Sequence, residues 1–292
     1  MVPNFLIVGS AKCGTTSLYS WLKQHPDVFF PENKEPSFFV HHYAIDDWNV
    51  YQSLFEKGAG KRVVGDASTS YLSSPESPEW IRKILGSDIK IVILVRNPID
   101  RAFSLYKWMT MEGYETSCPF EKALEVEDQR FSDEEFRIHS PEFFWDYMYV
   151  RSSLYGEQIK RYFRTFDSDR IKILVFDDLV ANPASIYDNV CDFLQISKTF
   201  RPEFTRENKG IIPKNVALQH LLKQNEWRFR SLPRVASLWH KGVVQCIEWN
   251  KRLAGESRLE TTTRKKLAKV FDEDVSWLGD LLGRDLSHWV MT

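Results

Sequence analysis

Apolar residues in this chain gather in short unbroken runs rather than in strict alternation. Residues 4–8 (Asn-Phe-Leu-Ile-Val), 63–66 (Val-Val-Gly-Asp), 89–95 (Ile-Lys-Ile-Val-Ile-Leu-Val) and 171–176 (Ile-Lys-Ile-Leu-Val-Phe) are dense in β-branched side chains. Runs of this length and composition read as strands buried on both faces, as in a parallel sheet. Between them the polarity takes on helical spacing, as over 155–163. The alternation predicts an α/β class with a mostly parallel central sheet and helices on both faces. Residues 110–144 are more charged and lack strand patterning, so they are expected to form helices and loops inserted between strands. After Pro213 the chain reads as three helices, 216–229, 239–253 and 261–282, carrying Trp227, Trp239, Trp249 and Trp277. These tryptophans are expected to pack the helical end onto the core or onto a second copy of the chain. The whole reads as one domain, 1–292. Residues 1–213 form the core, with a helical insertion at about 110–150, and residues 214–292 form a helical part.

The end of the first run carries candidate chemistry. The apolar stretch breaks at Gly9 and Gly14, and a hydroxyl-rich helix start follows at Thr15, Thr16 and Ser17. A strand-to-helix turn of this kind aims backbone N–H groups, including that of Cys13, and a helix N-terminus into one small space. Lys12 adds a full positive charge there. The segment predicts binding of a phosphate-like anion. A nucleoside triphosphatase loop has its lysine directly after the second glycine, whereas here Thr15 follows Gly14 and the lysine precedes it by two. No second strand ends in an obvious magnesium-binding aspartate, so splitting of a γ-phosphate is not expected.

The third run leads into a second candidate. Arg96-Asn-Pro-Ile-Asp-Arg-Ala-Phe-Ser-Leu-Tyr106 places Arg96 at the carboxyl end of a strand and Ser104 on the helix that Pro98 begins. Ligands of open α/β sheets gather at carboxyl ends of strands, so Arg96 and the first loop can face one crevice. A guanidinium with a hydroxyl makes a clamp for a second phosphate.

With both segments in view, the chain resembles the sulfotransferases that use 3′-phosphoadenosine 5′-phosphosulfate (PAPS). The first loop is similar to the family's 5′-phosphosulfate loop, and the R-N-P-x-x-R-A-x-S-x-Y segment to its 3′-phosphate motif. The Asp177-Asp-Leu-Val-Ala-Asn-Pro183 turn is similar to a late turn of the family, where the aromatic at the Phe176 position lies near the adenine. Core packing at a strand end is the other reading of Phe176. Lys209 and Gly210 are similar to a loop that closes over PAPS. The resemblance implies a P-loop-like three-layer fold, PAPS as co-substrate, 3′-phosphoadenosine 5′-phosphate (PAP) as product, and no metal requirement.

Sulfuryl transfer needs a cation at the leaving phosphate and a base at the acceptor. Lys12 sits in the loop that would hold that phosphate. Glu35 lies in Lys34-Glu-Pro-Ser-Phe-Phe39, similar to the E-P-x-F-F segment of heparan sulfate and related Golgi-type sulfotransferases, where the glutamate acts as base. A glutamate before proline is kept out of the α region. A surface carboxylate paired with Lys34 or Lys12 is the alternative. His41, His42 and Asp66 are the other base candidates.

Bulk properties narrow the partners. The 292 residues hold 39 Lys+Arg against 40 Asp+Glu, so there is no basic excess to favour nucleic acid. Cys13, Cys118, Cys191 and Cys246 lack metal-ligand spacing and read as free thiols. No signal peptide precedes the first strand and no run of 18 apolar residues could span a bilayer, so a cytoplasmic chain without a membrane span is expected. Three functions stay open at this point: a sulfotransferase acting on a small metabolite or carbohydrate, a metabolite or nucleotide kinase, and a non-catalytic nucleotide-binding module. The kinase would need magnesium ligands and a lysine after Gly14. The module would tolerate loss of Lys12 and Glu35.

Overall fold

The computed structural model describes residues 1–205, 211–229, 236–253 and 259–291. The first half of the chain runs β1 (Phe5–Gly9), α1 (Thr15–Lys23), β2 (Val28–Phe29), α2 (Trp48–Ser53), β3 (Val63–Asp66), α3 (Ser77–Leu85), β4 (Lys90–Val95) and α4 (Pro98–Met111). It continues through α5 (Phe120–Glu125), α6 (Glu127–Ser132), α7 (Glu134–His139), α8 (Tyr155–Thr165), β5 (Ile171–Val175), α9 (Phe176–Ala181) and α10 (Pro183–Leu194). The last part comprises β6 (Ile211–Pro213), α11 (Val216–Phe229), α12 (Ala236–Asn250), β7 (Lys251–Leu253) and α13 (Thr261–Leu282).

Five strands make one sheet in the order β2-β3-β1-β4-β5, and every neighbouring pair is parallel. Side chains of a strand alternate between faces. Phe5, Ile7, Val92, Leu94 and Leu174 point to one face and share a core with Leu18, Trp21 and Leu22 of α1 and Ile186, Tyr187, Val190 and Leu194 of α10. The alternate positions Leu6, Ile91, Ile93 and Val95 are equally buried, so helices cover both faces. That double burial is why the strands read as continuous apolar runs.

Local chemistry sets the element ends. Pro98 opens α4 and Pro183 opens α10, each without losing a helical hydrogen bond. The Asn182 side chain caps α10 by accepting from the Ser185 N–H at 3.1 Å. Leu154 gives α8 no side-chain cap. Asp274 of α13 supplies it instead, accepting from the Tyr155 and Gly156 N–H groups at 2.8 Å each.

The chain divides into two compact units. The first comprises residues 1–101, 154–207 and 272–289 and contains the sheet. The second comprises 102–153, 208–271 and 290–292. In the second, the charged stretch forms α5 to α7, and Phe143, Phe144 and Tyr147 are buried, Phe144 against Phe131 and Phe136 and Tyr147 against Phe136. Glu115 accepts both guanidinium nitrogens of Arg130 at 2.6 and 2.9 Å. Residues 251–253, expected to continue a helix, instead form β7 antiparallel to β6. Three-residue strands are too short to show a period in sequence. Trp249 is exposed and takes the Lys214 ammonium over its ring, while Trp277 receives Lys160 within the first unit.

Candidate active site

β1 ends in a loop held in an uncommon backbone shape. Gly9, Lys12 and Gly14 have φ of 146°, 69° and 89°. A left-handed residue with a Cβ costs about 1–2 kcal/mol, which glycine avoids at Gly9 and Gly14 and which Lys12 bears. Gly14 is the N-cap of α1 and has no side chain to cap it, and no acidic residue lies in the first turn. The exposed dipole end therefore favours an anion. Thr15 and Ser17 are buried and Thr16 is half-buried. The Cys13 N–H turns back onto the Ser10 carbonyl at 3.2 Å, and its thiol is fully buried. Burial pushes that thiol up in pKa, against the opposing pull of Arg101 and Arg96, so it acts as a neutral core group.

Arg96 follows β4 directly and reaches this loop. Its Nη1 donates to the Lys12 carbonyl at 3.1 Å, and its guanidinium lies 4.6 Å from the centre of the Phe176 ring. Phe176 opens α9 rather than closing β5, and it also covers Gly14, where an added Cβ would lie 3.1 Å from its Cδ2. Phe176 thus packs the β1–α1 loop and Arg96 together. Ser104 lies on α4, half-buried, within the second unit. Lys209 and Gly210 lie outside the described residues.

Two residues to which the sequence assigned no role complete the loop's support. Arg101, only 2% exposed, donates from Nε to the Ala11 carbonyl at 3.1 Å. With Arg96 it ties down two successive carbonyls of the loop, those of Ala11 and Lys12. The Tyr155 hydroxyl donates to the Arg96 carbonyl at 3.0 Å and lies 3.6 Å from Cys13 Sγ. Arg101 was visible as the second arginine of its motif. Tyr155 gave no signal, because an aromatic residue opening an amphipathic helix is ordinary.

Glu35 is held by two partners. Oε1 accepts from Lys34 Nζ at 2.6 Å, and Oε2 accepts from the Thr69 hydroxyl at 2.7 Å and the Thr69 N–H at 3.2 Å. The carboxylate stays partly open to solvent, with 38% of the side chain exposed. Thr69 also adjoins the anion loop, since a Cβ on Gly9 would lie 3.0 Å from the Thr69 carbonyl.

Asp66 differs sharply from Glu35. It is fully buried and accepts four hydrogen bonds, from the hydroxyls of Tyr51 (2.9 Å), Tyr71 (2.7 Å) and Ser68 (2.6 Å) and the Ser68 N–H (2.9 Å). Burial raises its pKa to about 6, and the Ser68, Tyr71 and Tyr51 donors restrain the rise. His41 and His42 are exposed, with the His41 ring stacked on Trp80 at 4.9 Å. Among the described residues, no group of three His, Cys, Asp or Glu side chains is arranged to hold a metal ion. No helix there is long and apolar enough to cross a membrane.

The sulfotransferase domain family matches residues 2–273. The chain belongs to that family. A solved sulfotransferase from Alicyclobacillus acidocaldarius is 28% identical, covers 100% of both chains and superposes with a TM-score of 0.75. Mouse sulfotransferase SULT7A1, solved in complex with PAP, shares the fold at 14% identity with a TM-score of 0.50, over 97% of this chain and 87% of that one. Among curated sulfotransferases, human heparan sulfate glucosamine 3-O-sulfotransferase 6 is 29% identical over 202 residues, 67% of this chain and 53% of the relative. The membrane-associated sulfotransferase kil1 of Dictyostelium discoideum is 23% identical over 280 residues, 71% of this chain and 59% of the relative. This sulfotransferase-family chain therefore spans a little over half the length of those curated relatives.

Proposed function

We propose that residues 1–292 act as one sulfotransferase domain that moves the sulfuryl group of PAPS to a hydroxyl or amine of a small metabolite or carbohydrate. The observation that carries this reading is the bond from Arg96 to the Lys12 carbonyl, which joins two anion-seeking motifs at the carboxyl ends of adjacent strands. A ligand with a phosphate at each end of its ribose suits such a pair. The donor set fits it chemically: uncapped helix N–H groups, Lys12 and the Arg96 guanidinium. PAP bound to the mouse neighbour is in keeping with that choice.

PAPS supplies an activated sulfuryl group on a phosphate that leaves as part of PAP. The Lys12 ammonium offsets negative charge growing on that phosphate oxygen as the S–O bond to it breaks. Glu35 accepts the acceptor's proton as the new bond from sulfur to the acceptor oxygen or nitrogen forms. The first-turn N–H groups of α1, with Thr15, Thr16 and Ser17, hold the 5′ end, and Arg96 holds the 3′-phosphate. Phe176 orders Arg96. No metal has a role in these steps. A carbohydrate hydroxyl is the favoured acceptor, since the heparan sulfate enzymes are among the relatives.

The reading is tested by thermal shift and by turnover. PAP or PAPS should raise the melting temperature, whereas ATP with magnesium should not. A screen of sugar hydroxyls and amines with PAPS should then return products heavier by one SO3 group. Stabilisation by ATP with magnesium and none by PAP would favour the kinase instead.

A further inference from the structure

The buried carboxylate of Asp66 has no part in the chemistry above, yet its hydrogen bonds lead toward Glu35. We propose that Asp66 is a positioning residue that fixes the proposed base, Glu35, by ordering the turn at residues 68–70. The inference rests on the reading of Glu35 as base.

Residues 68, 69 and 70 read the 35–37 segment one contact at a time. The Thr69 hydroxyl and N–H donate to the Glu35 carboxylate at 2.7 and 3.2 Å. The Ser68 hydroxyl accepts from the Ser37 N–H at 2.9 Å, and the Ser70 hydroxyl donates to the Ser37 hydroxyl at 2.9 Å. Ser37 is held at φ 53°, a left-handed shape that a serine adopts only when its surroundings impose it. One step upstream, the Ala67 N–H donates to the Lys34 carbonyl at 3.3 Å.

Asp66 sits behind this row. It takes both the N–H and the hydroxyl of Ser68, which leaves the serine's lone pairs for the Ser37 N–H. Its other oxygen takes Tyr51 and Tyr71, so the four acceptor sites of an ionised carboxylate are filled by four donors. The turn is also tied to the anion loop. The Leu72 N–H donates to the Val8 carbonyl at 2.8 Å, one residue before Gly9. Asp66 thereby sets where the Glu35 carboxylate stands relative to the end of β1. Displacing a catalytic group by about 1 Å can cost about a hundredfold in rate, which makes such support worth building.

A double-mutant cycle tests it, with PAP release from PAPS as the readout, using a glucosamine oligosaccharide as acceptor and water where the sugar is not turned over. Asp66→Asn should lower kcat about tenfold or more in the otherwise unchanged chain, with the PAPS KM within about twofold. In a Glu35→Gln background the same change should lower kcat less than about twofold, because nothing remains to be positioned. Should Asp66→Asn fail to fold, Ser68→Ala replaces it in the same cycle, since it removes the link to Ser37 while leaving the tyrosine bonds. An equal factor in both backgrounds, or no loss of kcat from Asp66→Asn, overturns the positioning role while leaving Glu35 as base. Near-full turnover of Glu35→Gln overturns the base reading and this proposal with it, as does failure of the unsubstituted chain to release PAP.

Discussion

Arg96 donates from Nη1 to the carbonyl oxygen of Lys12 at 3.1 Å, joining residues 84 positions apart in the chain. This one bond puts the candidate 3′-phosphate ligand beside the candidate 5′-phosphate loop. Arg96→Ala should therefore weaken PAPS far more than adenosine 5′-phosphosulfate, which lacks the 3′-phosphate. Charge-assisted bonds to phosphate are worth about 1.5–3 kcal/mol each, so a selective loss of tenfold or more is expected. Calorimetric titration of both nucleotides checks it, and equal weakening would reject the assignment.

Lys12 and Glu35 should separate kinetically. Lys12→Ala should lower kcat and also weaken PAP binding, because the ammonium would act on a bound phosphate. Glu35→Gln keeps the shape and the Thr69 contact, and should leave PAP affinity within about twofold while kcat falls by about 10²–10⁴. Steady-state kinetics with PAP titrations distinguish the two. Parallel losses of binding and turnover in both variants would contradict the division of roles.

Gly14→Ala should harm both stability and nucleotide binding. Gly14 has φ 89°, and an added Cβ would lie 3.1 Å from Phe176 and 3.3 Å from Leu179. Gly60 is the control, since it has φ 83° but nothing within 4 Å of such a Cβ. Strain alone is worth about 1–2 kcal/mol, so Gly60→Ala should lose only that, and Gly14→Ala more. Thermal melts measure the difference, and PAP affinity should drop in Gly14→Ala alone.

Asp66 predicts a pH dependence of stability. Its carboxyl titrates at about 6 when folded against 3.8 for an unperturbed aspartate. The folded state binds the proton more tightly, so this group's contribution is greatest at low pH. It falls as pH rises from about 4 to about 6, by about 3 kcal/mol. Denaturant titrations of the unsubstituted chain and Asp66→Asn across that window should show their stability difference moving against the unsubstituted chain as pH rises. A constant difference would argue that Asp66 stays ionised throughout.

Much of this was legible in the sequence. The strands at 4–8, 89–95 and 171–176 were found within one residue at either end, because burial on both faces writes an unbroken apolar run. The loop from Gly9 to Ser17 and the Arg96 segment were legible for a similar reason: each is contiguous, and its chemistry depends on a strand-to-helix turn within a dozen residues. The β6–β7 pair was not legible, since three-residue strands joined by long-range pairing leave no period. The surroundings of Glu35 were only half legible. Its pairing with Lys34 is a neighbour contact, but Thr69 lies 34 residues away.

The sequence by itself determined the α/β class and the two strand-to-helix turns proposed to bind anions, which follow from local periodicity and local backbone preference. Only the tertiary structure decided which groups support those turns. It brought Arg101 to the Ala11 carbonyl, Tyr155 to Cys13 across 142 residues, and Asp66 under the turn that holds Glu35. The physical reason is that a hydrogen bond between distant segments leaves no pattern in either one. A buried aspartate, a buried arginine and a tyrosine at a helix start look ordinary until the sheet brings their partners within 3 Å or so of them.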